Sequence, residues 1–115
     1  MPDLLKDLYE IVEQRRAERE EGSYTAYLFG AGLDKILKKV GEETSETIIA
    51  AKNLAGAKGP EAGGAREALK GEVGDLLYHL AVMLCELGVE PGEIDGLLRG
   101  RMQKTGNLKQ FHQTG

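Results

Sequence analysis

The 115-residue sequence contains one cysteine, no tryptophan and only 5% aromatic residues. A single cysteine excludes an intrachain disulfide, and Cys85, in the apolar run LAVMLCEL, is expected to be a small buried side chain. With so few aromatics, the core must consist mainly of Leu, Ile, Val, Ala and Met. The length suggests one domain, and a small core of this kind buries only part of the apolar surface, which favours oligomerisation.

Long apolar runs and an excess of positive charge are also missing. The apolar stretch around residues 76–87 is interrupted by Tyr78, His79 and Glu86 and is too short to span a bilayer. The charged N-terminus lacks the apolar region of a signal peptide, so we expect a cytoplasmic protein without a membrane partner. A formal net charge of −4 argues against nucleic-acid binding, which relies on a basic surface. It still permits one small phosphorylated ligand held by local lysines and a metal ion.

Several catalytic and metal-binding patterns do not occur. There is no glycine-rich phosphate loop with GK[ST], no Cys/His set with zinc spacing and no G-x-S-x-G around a nucleophilic serine. A covalent mechanism is therefore not expected. Activation of water by a metal ion is the natural alternative.

The spacing of apolar residues predicts an all-α protein, a bundle of four to five helices. Helices are expected over residues 2–20, 23–30, 33–54, 65–87 and 91–98. Ser23 suits the N-cap of the second helix and Gly88 the C-cap of the fourth, Gly22 ends the first, and residues 55–64 form a loop. We expect the domain to cover residues 1–102 and a basic, flexible tail to cover 103–115, with apolar content falling from Arg99 onward.

The two long helices each carry an apolar stripe that is expected to face the core. In the central helix the stripe is Leu33, Ile36, Leu37, Val40, Thr44, Thr47, Ile48 and Ala51. In the next long helix it is Leu69, Val73, Leu76, Leu80, Met83, Leu84 and Leu87. Gly41, Gly71 and Gly74 disfavour helix, and we expect them to permit close approach by another backbone or a ligand.

Carboxylates occur in pairs beside these stripes. Glu43 and Glu46, like Glu72 and Asp75, are three residues apart, so at ~100° per residue both members of a pair face the same way. Antiparallel packing of the two helices can bring four carboxylates to one point, which suits a hard cation such as Mg²⁺. The alternative is that they are surface charges, as most glutamates are. Mutual repulsion of converging acids favours the cation.

The other polar residues of these helices have two interpretations each. Lys35, Lys38, Lys39 and Lys52 either form i,i+4 ion pairs with the acids or bind phosphate beside the metal. His79 either hydrogen-bonds Asp75 or is a satisfied buried histidine, and we favour the second. Tyr78 lies opposite its helix's apolar stripe, which indicates a second packed surface.

The segments around these acids resemble a known family. SYTAYLFGAGLDKILKKVGEETSETIIAAKN followed by EVGDLLYHLAVML is similar to bacterial phosphoribosyl-ATP pyrophosphatase of histidine biosynthesis, in the all-α nucleotide pyrophosphatase (MazG-like) superfamily. The superfamily signature EExxE … ExxD stands here as Glu42-Glu43-x-x-Glu46 and Glu72-x-x-Asp75. The resemblance covers about residues 3–102.

The resemblance implies Mg²⁺-dependent hydrolysis of the α–β phosphoanhydride of phosphoribosyl-ATP to phosphoribosyl-AMP and pyrophosphate, by a homodimer or higher homo-oligomer. It implies that the metal ligands are Glu43, Glu46, Glu72 and Asp75. It also implies a catalytic set of Glu42, Glu43 and Glu46, in which Glu42 binds a second ion or orients water. The substrate-binding residues it implies are Lys35, Lys39 and Asn53 for the polyphosphate, and Ser23 and Thr25 near the substrate.

Three other functions remain open at this point. A house-cleaning pyrophosphatase for dUTP, dCTP or a related nucleotide would use the same acids, although the SYT and YHL runs argue against it. A non-catalytic helical dimerisation module would tolerate replacement of the acids. A metal-buffering protein would bind the cation without turnover.

Overall fold

A computed structural model describes residues 3–104, which form five α-helices without a strand. The helices are α1 (Leu4–Glu18), α2 (Tyr24–Ala31), α3 (Leu33–Gly56), α4 (Glu61–Leu87) and α5 (Pro91–Lys104). The prediction of an all-α bundle is confirmed. None of these helices combines the length and apolarity needed to cross a membrane, in the part of the chain that is described.

The two longest helices form the centre of the fold. The most extensive helix contact is between α3 and α4, which are joined by only four residues, 57–60. So short a connection between packed helices reverses the chain direction and makes the pair an antiparallel hairpin. α1 packs on α4, α2 lies against α1 and α3, and α5 rests on α1.

The predicted helix caps are confirmed at Ser23 and Gly88, but the predicted helix end at Gly22 is not. Ser23 Oγ accepts the backbone N–H of Ala26 at 3.2 Å, which confirms Ser23 as the N-cap of α2. Gly88 closes α4 in the left-handed region with φ of 71°, and Val89 N–H donates to Leu84 O at 3.0 Å. Gly22 does not end α1, because Arg19 already takes the left-handed C-cap conformation with φ of 48°.

Larger differences from the predictions occur at three further helix boundaries. α3 continues to Gly56 and α4 begins at Glu61, so the loop is shorter than the predicted 55–64. Pro60, with φ of −62°, already has a helical φ and lets α4 start early despite the glycines that follow. α5 extends past residue 98 to Lys104, and Arg99 pairs with Asp95 at 2.9 Å on its exposed side. Residues 103 and 104 of the expected tail, 103–115, belong to α5, and its remainder lies outside the described residues, so the domain boundary stays a prediction.

The core is built from a different face of the long helices than the sequence predicted. The buried cluster consists of Tyr9, Val12, Leu28, Ile36, Ala81, Val82 and Cys85, so the prediction for Cys85 is confirmed. On α3 the buried residues are Ile36, Glu43 and Ala50, whereas Ile48 of the predicted stripe is 60% exposed. On α4, Leu87 of the predicted stripe is likewise exposed. The predicted core stripes are therefore only partly confirmed, since Ile36 lies in the core and Met83 and Leu84 pack against it.

The glycines of the long helices do not mediate close contacts among residues 3–104. A Cβ added at Gly41, Gly71 or Gly74 would meet nothing in this part of the chain within 4 Å. All three positions are exposed, because the helix faces that bury the core point away from them. The expectation of tight helix–helix contact at these glycines is therefore wrong within one chain.

Arg16 fixes the relative position of three helices. Its guanidinium donates to Cys85 O at 3.2 Å and to the Glu86 carboxylate at 3.1 Å, which ties α1 to the C-terminal end of α4. The same group lies 4.9 Å above the ring of Phe29 on α2. These contacts join α1, α2 and the C-terminal end of α4.

Candidate active site

The α3–α4 hairpin brings three of the predicted metal ligands together. Glu43 and Glu46 of α3 and Glu72 of α4 each offer a carboxylate oxygen, and these oxygens lie within 4.8 Å of one another. Asp75 is not one of the three, and its side chain is exposed. Its charge nevertheless acts on both Glu43 and Glu72, so it stands beside the group. We call Glu43, Glu46 and Glu72 the carboxylate cluster.

Two oxygens of the carboxylate cluster lack a partner. Glu43 is only 6% exposed. With the acids ionised, no donor among the described residues reaches the buried Oε2 of Glu43 or Oε2 of Glu72. A buried acceptor without a donor is costly, and polar groups in this situation are normally satisfied by water or an ion. The orphaned oxygens therefore fit a cation bound at this point.

The raised pKa values of two acids in the cluster also favour a bound cation. Burial raises the pKa of Glu43, and the charges of Glu46 and Asp75 add to the rise. A hydrogen bond with Glu46, which requires a proton between the two acids, raises the pKa of Glu72 to about 7, with burial and the neighbouring carboxylates contributing. Without a cation, the cluster therefore retains a proton near neutral pH.

Glu42 and the lysines lie at the edge of the cluster. Lys39 Nζ is 3.0 Å from Glu42 Oε2 and 4.0 Å from Glu43 Oε1, and Lys38 Nζ is 4.0 Å from Glu42 Oε1. The hydrogen bond from Lys39 lowers the pKa of Glu42, so this acid stays ionised. The ion pairs predicted from the sequence are thus present. Lys39 is also close enough to the acids to bind a phosphate located beside them.

The other predicted substrate-binding residues lie farther along the same helix. Lys35 is half-buried, and its charge also acts on Glu42. Asn53 is exposed seven residues beyond Glu46, which places it on the same face about two turns, ~10 Å, further on. Both roles stay predictions.

The carboxylate cluster has the chemistry of a magnesium site. Its donors are hard oxygens, and Mg²⁺ is typically held by a few carboxylates while keeping other positions for water and substrate phosphates. In the described part of the chain this is the one group of acids and histidines close enough to hold a metal ion.

The sequence that forms this site is similar to known proteins of one family. The family model for phosphoribosyl-ATP pyrophosphohydrolase matches residues 5–98. The chain belongs to the phosphoribosyl-ATP pyrophosphohydrolase family. It is 49% identical over 102 residues to a phosphoribosyl-ATP pyrophosphatase of Pelotomaculum thermopropionicum, covering 89% of this chain and 94% of the relative. The protein of that name from Streptococcus thermophilus is 46% identical over 91% of both chains, and that of Listeria innocua 45% identical over 95% of this chain and 98% of the relative.

The phosphoribosyl-ATP pyrophosphohydrolase match includes every site residue predicted from the sequence, and the resemblance found in the motifs is confirmed. Two of these residues already have structural partners. Ser23 Oγ is used in the cap of α2, and the buried Thr25 hydroxyl hydrogen-bonds the hydroxyl of Tyr78. A direct contact of either residue with substrate stays a prediction.

A hydrogen-bonded pair next to the cluster, Tyr24 and His79, was not predicted from the sequence. His79 Nδ1 is 2.7 Å from the carbonyl oxygen of Asp75, which can only accept, so Nδ1 carries the proton. Nε2 of the same ring hydrogen-bonds the Tyr24 hydroxyl at 2.9 Å. His79 is buried, and the prediction of a satisfied buried histidine is confirmed. The sequence does not indicate the contact of Tyr24 with His79, because the two residues lie 55 positions apart.

Proposed function

We propose that this protein is an Mg²⁺-dependent phosphoribosyl-ATP pyrophosphohydrolase. It hydrolyses the α–β phosphoanhydride of phosphoribosyl-ATP, releasing phosphoribosyl-AMP and pyrophosphate, in histidine biosynthesis. Family membership supports the substrate. The observation that carries the chemistry is the carboxylate cluster, with two buried oxygens that no donor among residues 3–104 satisfies.

The roles of the side chains follow from their placement. Glu43, Glu46 and Glu72 would hold Mg²⁺, with Asp75 beside them. When bound, Mg²⁺ supplies charge neutralisation on the phosphates and activation of water. Lys39 can exchange its contact with Glu42 for a phosphate oxygen. Glu42, ionised and part-exposed, is then free to orient the attacking water.

We further propose that the protein works as a homodimer. The outer side of the α3–α4 hairpin exposes large apolar side chains, including Leu37 and Ile48 on α3 and Val73 and Leu87 on α4. Exposed apolar patches are typical of interaction sites. A second copy offers the same surface, and a two-fold interface would cover both at once.

The proposed activity is tested by measuring pyrophosphate release from phosphoribosyl-ATP with Mg²⁺, using dUTP and dCTP as competing substrates. We expect turnover of phosphoribosyl-ATP and little of the deoxynucleotides. Preferred turnover of a deoxynucleotide would instead assign the protein to nucleotide house-cleaning. No turnover of any of the three would leave the non-catalytic helical module.

The pKa of Glu72 predicts a pH-dependent response to Mg²⁺. The Glu72 carboxyl has a pKa of about 7 in the folded state and an ordinary pKa of 4.5. At pH values above 4.5 it therefore binds more protons in the folded than in the unfolded state. The free energy of unfolding should therefore fall as the pH rises through this range without divalent cations. Mg²⁺ displaces the proton, so the rise in Tm on adding Mg²⁺ should be larger at pH 8 than at pH 5. Thermal denaturation with Mg²⁺ or EDTA measures this, and an equal rise at both pH values would contradict it.

A further inference from the structure

A cleft of about 530 Å³ opens between the end of α1 and the outer side of α2. Its volume falls within the range of small-molecule sites, roughly 300–1,000 Å³. Its wall includes Tyr24, Tyr27 and Phe29 from α2, and Arg19, Glu20 and Glu21 from the chain after α1. Apart from the predicted substrate contact of Ser23, which also lines the cleft, none of the roles described so far uses it.

Two aromatic rings stand exposed at this cleft. Tyr24 and Tyr27 are 45% and 54% exposed, and their rings stack with centroids 6.2 Å apart and planes inclined by 28°. The other aromatic side chains of residues 3–104 are buried or half-buried. An exposed, nearly parallel aromatic pair is a surface on which a nucleobase can stack.

Tyr24 connects the cleft to the carboxylate cluster. Its hydroxyl is held by His79 Nε2 at 2.9 Å, and its ring lies edge-on to His79 at 5.7 Å and tilted against Tyr78 at 6.1 Å. Burial raises the pKa of Tyr24, and the charges of Lys39 and Glu43 also act on its hydroxyl. One side of this fixed residue therefore borders the acids, and the ring forms part of the cleft wall.

The charges around the cleft select which part of a nucleotide can enter it. Glu20 and Glu21 contribute two carboxylates against the single cation of Arg19, which disfavours a polyphosphate. The carboxylate cluster, by contrast, lies beside lysine and fits a cation that phosphates require. A nucleotide whose phosphates lie at the acids would extend its uncharged base past Tyr24 into the cleft.

We infer that the cleft walled by Tyr24 and Tyr27 binds the purine base of the substrate. This inference rests on the proposed function for the identity of the nucleotide, and it assigns Tyr27 as a stacking residue that determines affinity for the base. The ring of Tyr24 is held in place by its contacts and forms one wall of the cleft. The more exposed ring of Tyr27 provides the surface on which the base stacks.

The test is Tyr27→Ala, with Tyr27→Phe as the conservative variant and Leu97→Ala, a similarly exposed residue on α5, as control. Loss of base stacking should raise KM for phosphoribosyl-ATP about tenfold with kcat within about twofold. Tyr27→Phe and Leu97→Ala should retain the parent KM. Calorimetric binding of AMP, with ribose 5-phosphate as the probe without a base, gives a readout apart from turnover: Tyr27→Ala should weaken AMP alone.

The outcomes separate this inference from the proposed function. If the parent hydrolyses phosphoribosyl-ATP and Tyr27→Ala leaves both KM and AMP binding unchanged, the base site is wrong while the activity stands. If the parent shows no turnover but Tyr27→Ala weakens AMP binding and not ribose 5-phosphate binding, the base site stands without the proposed reaction. If Tyr27→Ala changes the mass in light scattering and leaves AMP binding intact, the aromatic pair is an interface between copies, and the inference fails.

Discussion

Replacing Glu43 by glutamine is expected to lower the kcat/KM for pyrophosphate release from phosphoribosyl-ATP by about 100-fold or more. Even an outer-shell partner of a metal ligand typically contributes 10–100-fold, and Glu43 is the most buried member of the carboxylate cluster. Glutamine keeps the shape of the side chain but provides one neutral oxygen, so both the charge and the affinity for Mg²⁺ are reduced.

The same variant should remain folded. Burial and neighbouring carboxylates raise the pKa of Glu43, which means that its charged form is disfavoured without a cation. A neutral amide relieves this repulsion, so Tm in EDTA should equal or exceed that of the parent, and the rise in Tm on adding Mg²⁺ should shrink. Glu67→Gln is the matched control, since Glu67 is an exposed glutamate of α4 whose carboxylate lies 3.0 Å from Lys70 Nζ, away from the carboxylate cluster. Full activity in Glu43→Gln would remove the cluster from the mechanism.

Features that depend on neighbours in sequence were predictable. The cap at Ser23 needs only a hydroxyl two or three residues before a free N–H, and the turn at Gly88 needs only a residue tolerant of positive φ. The paired acids were predictable for a similar reason, because helical spacing alone puts Glu43 and Glu46 on one side. A short hairpin connection then brings them to Glu72.

Features that depend on distant partners were not predictable. The periodicity of α3 shows an apolar stripe through Ile48, but it does not show whether the same chain or a second copy covers that stripe. The chain buries the neighbouring face instead, with Glu43 on it. The contact of Tyr24 with His79 is equally invisible in the sequence, since it depends on how α2 packs against α4.

Replacing Ile48 by aspartate is expected to dissociate the proposed homodimer. Ile48 projects from the outer side of α3, so the substitution should leave each protomer folded while placing a charge in the proposed interface. An unpaired charge buried in an interface costs roughly 3–5 kcal/mol, which corresponds to a dissociation constant raised by about 100-fold or more. Sedimentation velocity over a range of protein concentrations measures the shift.

Ile11→Asp is the control for this experiment, because Ile11 is similarly exposed but lies on α1. A parent that is monomeric at all concentrations, or a dimer equally stable in Ile48→Asp, would refute the proposed interface. The carboxylate cluster comes from α3 and α4 of one chain, so the dissociated variant should still gain Tm on adding Mg²⁺. Loss of that gain, with the fold intact by circular dichroism, would mean that the second copy completes the metal site.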